Sequence, residues 1–304
     1  MALVAAALGS AFLFIRVLVD AGVEPFGVAA ARTGVSLVVL TPVMYWKRAT
    51  IPRDRRVILL IGGIGLINMT LPYTMIPLSE QRVSSGTAAI LSSTMPMTTA
   101  VLAASMIADE RFTLSRVLGL ALGFVGVMAL MGGEVGADSA TDATLGILFL
   151  MTAIVGYATA SVFIRRWHTS VPALPLAYIQ FVSASCLTIP LALVTGAYTD
   201  ASVGIEEWGS LLGVTVFGTA MAMLLFMWLV VETGPVRASV VTYLFPPIGV
   251  FLGWLLLDEP VGWTLLLSLV LIVSGVALVQ ATDVLKRFLP PALRSRATVV
   301  GRGD

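Results

Sequence analysis

The sequence predicts an all-α membrane protein of ten transmembrane helices, arranged as two inverted five-helix repeats with both termini cytoplasmic. Three observations carry this. Of 304 residues, 58% are hydrophobic and only 12% charged, about half the charged share of an ordinary soluble domain. The charges fall in short clusters, and the runs between them are long enough to cross a bilayer core of about 30 Å. The chain also resembles itself at a nearly constant offset of 149 residues. Such a composition excludes a disordered chain, and a net charge of +1 offers no basic field to nucleic acid. One cysteine (Cys186) excludes an internal disulfide, and one histidine (His168) excludes most zinc sites. No metal and no cofactor are expected.

Spans 1 and 2 are expected within 2–19 and 25–46, which carry Arg16 and Arg32. Charge-free runs then supply spans 3 to 10: 57–79, 83–108, 117–133, 143–164, 169–199, 208–231, 238–257 and 260–282. None of them places polar residues every third or fourth position, as an amphipathic soluble helix would. The first run lacks a basic flank and the hydrophobic pattern continues beyond it, so it is expected to be a span and not a cleavable signal.

Orientation follows from lysine and arginine in short loops. Lys47, Arg48, Arg53, Arg55 and Arg56 lie between spans 2 and 3; Arg111 and Arg116 follow span 4, and Arg165 and Arg166 follow span 6. Arg237 opens span 9, and Lys286, Arg287, Arg294, Arg296 and Arg302 follow span 10. All fall on one side if there are ten spans, which puts both termini in the cytoplasm. Acidic residues dominate the alternate loops.

Phe14-Ile15-Arg16 recurs as Phe163-Ile164-Arg165, and Asp109-Glu110 as Asp258-Glu259, both 149 residues on. Gly126-Val127 recurs as Gly275-Val276 at 149, and Pro96 as Pro246 at 150. Five spans per copy is an odd number, so the second copy enters the membrane upside down. The expected units are residues 1–133, a linker at 134–143 outside the cytoplasm, residues 144–282, and a basic cytoplasmic tail at 283–304. Inverted repeats are the architecture of many secondary transporters, whose sites lie between the copies.

The stretch from Asn68 through Pro72, Glu80, Gly86 and Pro96 to Asp109-Glu110-Arg111 resembles the EamA family of the drug/metabolite transporter superfamily. Phe245-Pro246 through Asp258-Glu259-Pro260 resembles its second half. The resemblance implies a ten-helix exporter of small metabolites with a cavity built mainly from helices 1, 3, 4, 6, 8 and 9. Members commonly place tryptophan before the Gly-Ser of the first span; here Leu8 precedes Gly9-Ser10, and Tyr157 fills the equivalent place in the second copy. Ser10 and Tyr157 are therefore candidate substrate contacts. Arg32 matches an arginine of the family, with Gln180 as its counterpart.

Proline inside a helix frees the carbonyl four residues earlier. In lipid that carbonyl needs a partner in protein or a wet cavity. Pro72 frees Asn68, Pro96 frees Ser92, Pro246 frees Thr242 and Pro247 frees Tyr243. Ser92 and Thr242 stand 150 apart, so the copies carry equivalent weak points. Two readings stand: a substrate site lined by Ser92, Thr242 and Tyr243 with hinges at Pro96 and Pro246, or kinks healed by neighbouring helices. Asn68, Pro72, Met75 and Ser79 share one face of span 3 at helical spacing, for substrate or for interhelical hydrogen bonds. Met221, Met223, Met227 and Trp228 on span 8 are either an adaptable cavity wall or lipid-compatible filler.

Ionisable groups within spans default to functional candidates. Arg32 and Glu80 are candidates for coupling or gating; alternatively Arg32 pairs with Asp20 or Glu24, and Glu80 is a solvated helix end. Arg16 and Arg165 either act or snorkel to headgroups. The combined expectation is a secondary transporter, not an enzyme and without catalytic residues. It exports small organic metabolites (amino acids or drug-like compounds) across the inner membrane by alternating access. The alternative is a membrane-embedded transferase acting on a lipid-linked substrate. The partners are a small-molecule substrate and the lipid bilayer, with no nucleic acid and the oligomeric state open.

Overall fold

Helices α1 (Ala2–Asp20) and α2 (Pro25–Trp46) are joined by a turn that shows how this chain ends its helices. The N–H of Val23 reaches back to the carbonyl of Leu18 and that of Gly22 to Val19, both at 3.0 Å. This closing motif requires a left-handed residue, and Gly22 supplies it at φ +82°. Pro25 then opens α2, where its missing N–H costs nothing. The same closure recurs after α2, where Ala49 bonds to Met44 and Arg48 takes the left-handed position.

The computed structural model describes residues 2–106, 114–134, 140–167, 171–197, 204–234, 238, 241 and 245–288. The expectations for Thr242, Tyr243, Asp109, Glu110 and the tail beyond residue 288 lie outside the described residues. No strand occurs among those described.

Asp54 caps α3 (Arg55–Gly65) by accepting from the N–H of Arg56 at 2.8 Å. A π-helical turn at Leu66–Thr70 then leads into α4 (Leu71–Glu80). Ser84 caps α5 (Ser85–Ser92), accepting from Thr87 at 3.1 Å. The helix breaks at Ser93-Thr94 and resumes as α6 (Met95–Met106). Next come α7 (Leu114–Glu134), α8 (Ala140–Trp167) and α9 (Ala173–Val194). Then α10 (Ile205–Leu212) passes through a second π-helical stretch, Gly213–Met221, into α11 (Ala222–Thr233). The last two are α12 (Phe245–Leu257) and α13 (Trp263–Phe288). The two π-helical segments are repeat equivalents, since Leu66–Thr70 moved on by 149 falls inside Gly213–Met221.

Among the described residues, six helices are long and apolar enough to cross a membrane: Pro25–Trp46, Arg55–Glu80, Ser85–Met106, Thr141–Trp167, Ala173–Val194 and Ile205–Thr233. Shorter apolar helices occur at Val117–Leu130, Phe245–Leu257 and Trp263–Leu278. Burial runs against the pattern of a soluble protein. Leu59, Phe124, Leu193, Trp254 and Val270 are exposed, while Thr33, Ser36, Thr188 and Thr215 are buried. The inward polar groups bond across helices: the Thr33 and Thr188 hydroxyls meet at 2.7 Å, and Ser36 donates to the carbonyl of Thr215 at 3.1 Å. An apolar exterior with polar groups turned inward to bond across helices is the arrangement that lipid demands.

The helices pair in a way that exchange of the two sequence copies preserves. Helix α1 packs on α12 as α8 packs on α6, while α2 pairs with α9, α5 with α12 and α7 with α13. The α7–α13 contact is made by small-residue faces, with Gly119 and Gly123 on α7 against Gly275 on α13. A Cβ placed at Gly275 would lie 2.6 Å from the carbonyl oxygen of Gly119 and the nitrogen of Gly123. At the other end of the bundle, the Glu259 carboxylate caps α5 from the opposite copy. It accepts from the N–H groups of Ser85 at 2.8 Å and Gly86 at 3.1 Å and from the Ser85 hydroxyl at 2.9 Å. An anion at a helix N-terminus is favourably placed. Asp258, left-handed at φ +52°, turns the chain so that Glu259 can reach. Glu259 thus joins the copies.

Candidate functional site

A cavity opens where the two copies meet, walled by α1, α2, α4, α6, α8, α11 and α12. Much of the wall consists of repeat equivalents: Leu8 with Tyr157 at an offset of 149, Ile76 with Phe226 and Met95 with Phe245 at 150. Ala11, Phe12, Ile15, Met223 and Arg32 complete it. About 60 Å³ is open to the centres of water-sized molecules, several times the roughly 10–15 Å³ that one water needs. Phe12 and Phe245 meet across it with ring centroids 6.1 Å apart.

Arg32 is the single charged residue of this wall and is only 2% exposed. Its Nε donates to the Thr219 hydroxyl at 2.9 Å, and its guanidinium lies 3.8 Å from the centroid of the Tyr73 ring. The π-helical stretch makes the first contact possible: Thr219 donates five residues back to Val214 at 2.6 Å, leaving its oxygen free to accept from Arg32. The Tyr157 hydroxyl interacts electrostatically with the same guanidinium. Nη1 of Arg32 is buried without a hydrogen-bond partner.

A model described as the EamA-like transporter family matches residues 1–132 and, a second time, residues 144–281. The chain belongs to the EamA-like transporter family. Among its EamA relatives, the uncharacterized transporter YvbV of Bacillus subtilis (strain 168) is 26% identical over 219 residues, which cover 71% of this chain and 69% of YvbV. The uncharacterized inner membrane transporter YedA of Escherichia coli (strain K12) is 25% identical over 293 residues, covering 96% of this chain and 92% of YedA. A solved crystal structure, 20% identical, shares the fold with a TM-score of 0.64 over 94% of this chain and 99% of that one. This EamA chain is a multi-pass membrane transporter.

Of the residues that the sequence singled out, the EamA cavity brings together Arg32 and Tyr157. Asn68 lies outside its wall: fully buried, it donates to the Gln180 side chain at 2.8 Å and faces the sulfur of Met223 at 4.0 Å. Pro72, Ser79 and Ser92 are buried away from the wall, Ser79 with an unpartnered hydroxyl. Ser10 turns its hydroxyl onto its own helix, 3.2 Å from the carbonyl of Ala7. Trp228 is 54% exposed, on the outer surface with the lipid-facing residues, so the methionine cluster beside it divides: Met223 faces the cavity and Trp228 does not. Pro96 stands just past the break in the fourth apolar run, and Pro246 at the start of α12; both are buried.

The ionisable candidates take definite partners. Arg32 bonds to Thr219 and not to Asp20 or Glu24. Asp20 is held by Arg16 at 2.9 Å. Arg16 does not reach for headgroups either, since its Nη1 donates to the Glu80 carbonyl at 2.7 Å and to that of Val83 at 3.3 Å. The Glu80 side chain is fully buried, with neither oxygen bonded, in electrostatic reach of Arg16, Glu259 and Arg32. Burial leaves no room for the solvated helix end that the sequence allowed. Sequence reasoning missed Phe12, Ile76, Phe226 and Phe245, which resemble lipid-facing filler; the repeat offset applied to Tyr157 and Met95 is the signal that finds their partners.

Proposed function

We propose that this EamA transporter is a secondary transporter that exports small organic metabolites across the inner membrane. It works by alternating access between two inverted five-helix repeats, residues 1–133 and 144–282, joined by a linker at 134–143. The basic tail at 283–304 and the N-terminus both lie in the cytoplasm. The observation that carries this reading is the cavity walled by repeat-equivalent residues at the junction of the copies. A site on such a junction can be exposed to either side by rocking one copy against the other. Pro96 and Pro246 act as the hinges, and Arg32 and Glu80 as the charged groups through which binding is coupled to gating. Tyr157 contacts the substrate directly. Ser92 stands beside the first hinge, while Ser10, Asn68, Pro72 and Ser79 support the wall from behind.

The test is solute counterflow in proteoliposomes with a panel of labelled amphipathic metabolites. Exchange above protein-free liposomes for a subset of the panel is expected. Consumption of a lipid-linked donor without any solute exchange would favour the transferase alternative and overturn the transporter mechanism.

A further inference from the structure

We propose that the cavity binds a singly charged organic anion, a carboxylate on an apolar body without an ammonium group, and that Arg32 receives the carboxylate. The proposal rests on the transporter reading but makes a narrower claim about what is carried.

A buried guanidinium stays charged, and its desolvation must be offset. Here the offset is incomplete. Nε has Thr219, the guanidinium face has Tyr73 and the Tyr157 hydroxyl interacts with the group, yet Nη1 has no partner. Among the described residues the one ion pair is Arg16 with Asp20; Glu80 lies within electrostatic reach of Arg32 but neither of its oxygens bonds to it, so no carboxylate of the protein pairs with Arg32 at contact distance. A carboxylate in the cavity would meet the guanidinium that lines it and the Tyr157 hydroxyl beside that group, and it would take Nη1, sealed from water in this conformation, as a charge-assisted donor once the wall opens around it.

The rest of the wall defines the body of the ligand. It is aliphatic and aromatic, with Phe12, Phe226 and Phe245 supplying the rings. No acidic side chain is part of it, so the ammonium of a zwitterion would be buried there without a counter-charge. Symmetry does not add a second anion site, because the counterpart of Arg32 is Gln180. That amide is already committed, accepting from Asn68 at 2.8 Å and donating toward the sulfur of Met227 at 3.9 Å. One copy therefore brings the charge, and the equivalent position in the other is closed by a hydrogen bond between the copies.

The experiment is competition binding to purified protein in detergent, which avoids passive leakage of the acid through liposomes. Labelled 3-phenylpropionate is displaced by itself, by neutral 3-phenylpropionamide and by zwitterionic phenylalanine. We expect the carboxylate to bind at least about tenfold more tightly than either competitor, in keeping with the strength of charge-assisted hydrogen bonds. Arg32→Gln should abolish that preference, and Arg32→Lys should keep part of it, since lysine restores the charge without the planar fork. Equal affinity for carboxylate and amide, tighter binding of phenylalanine, or a preference that survives Arg32→Gln would each overturn the proposal. If Arg32→Gln does not fold, the carboxylate-to-amide ratio of the unsubstituted protein decides. Counterflow of other solutes with no binding of 3-phenylpropionate would sink the anion class alone. Binding with the expected preference but no counterflow of any solute would sink the transport mechanism alone.

Discussion

Asn68 and Arg32 each keep one buried polar atom without a partner, but Arg32 lines the cavity while Asn68, donating to Gln180, lies outside its wall; that placement separates a packing residue from a binding residue. Both stand out in the sequence as polar groups in apolar runs, and nothing in spacing distinguishes them. The deciding information is the partner 112 residues away, which the topology supplies. Asn68→Leu should therefore lower stability by about 1 kcal/mol, the size of an interhelical hydrogen bond in a membrane protein. Trp228→Leu, on the exposed face, should leave both stability and counterflow unchanged. Thermal unfolding in detergent, read beside flux, checks the pair. Tyr157 was legible because the repeat sets it opposite Leu8. Its neighbours Phe226 and Phe245 were not, because an apolar side chain carries no mark of whether it faces lipid or a cavity.

At the level of helices, charge-free runs located the elements well, since a charge inside lipid is too costly to be placed at random. The breaks within them were only partly legible. Proline marked the interruption near Ser93-Thr94, but the π-helical stretch Gly213–Met221 contains no proline and left no trace in composition. Gly126 and Gly275 were legible only as repeat equivalents, and the structure shows that the glycine faces of α7 and α13 meet. Gly275→Val should force the two backbones apart and cost about 1–3 kcal/mol, as overpacking does. Gly63→Ala, where an added Cβ meets nothing within 4 Å, should be neutral or slightly stabilising in the same unfolding assay. At the hinges, Pro96→Ala and Pro246→Ala should each reduce counterflow several-fold with expression and melting temperature largely kept. Normal flux in both would reduce these prolines to packing features.

Over the whole molecule, the pairing of α1 with α12 and of α8 with α6 gives the two copies interchangeable surroundings, and the cavity lies where they meet. The inside-out burial pattern and the double family match agree on a membrane transporter. The proposed topology places residue 50 in the cytoplasm and residue 140 outside it. With Cys186, the native cysteine, replaced by alanine, Thr50→Cys should be protected from impermeant thiol reagents added to intact cells, and Ala140→Cys should react. The reverse labelling would contradict both termini lying inside.

The central claim is that solute passes through the cavity between the copies. Leu8 lines that cavity opposite Tyr157, and its replacement by cysteine in the Cys186→Ala background puts one thiol on the path. The decisive measurement is counterflow before and after complete modification of Leu8→Cys with N-ethylmaleimide. We expect modification to abolish exchange, and the transported solute, added first, to slow the modification. Full exchange through a completely modified protein would contradict the account.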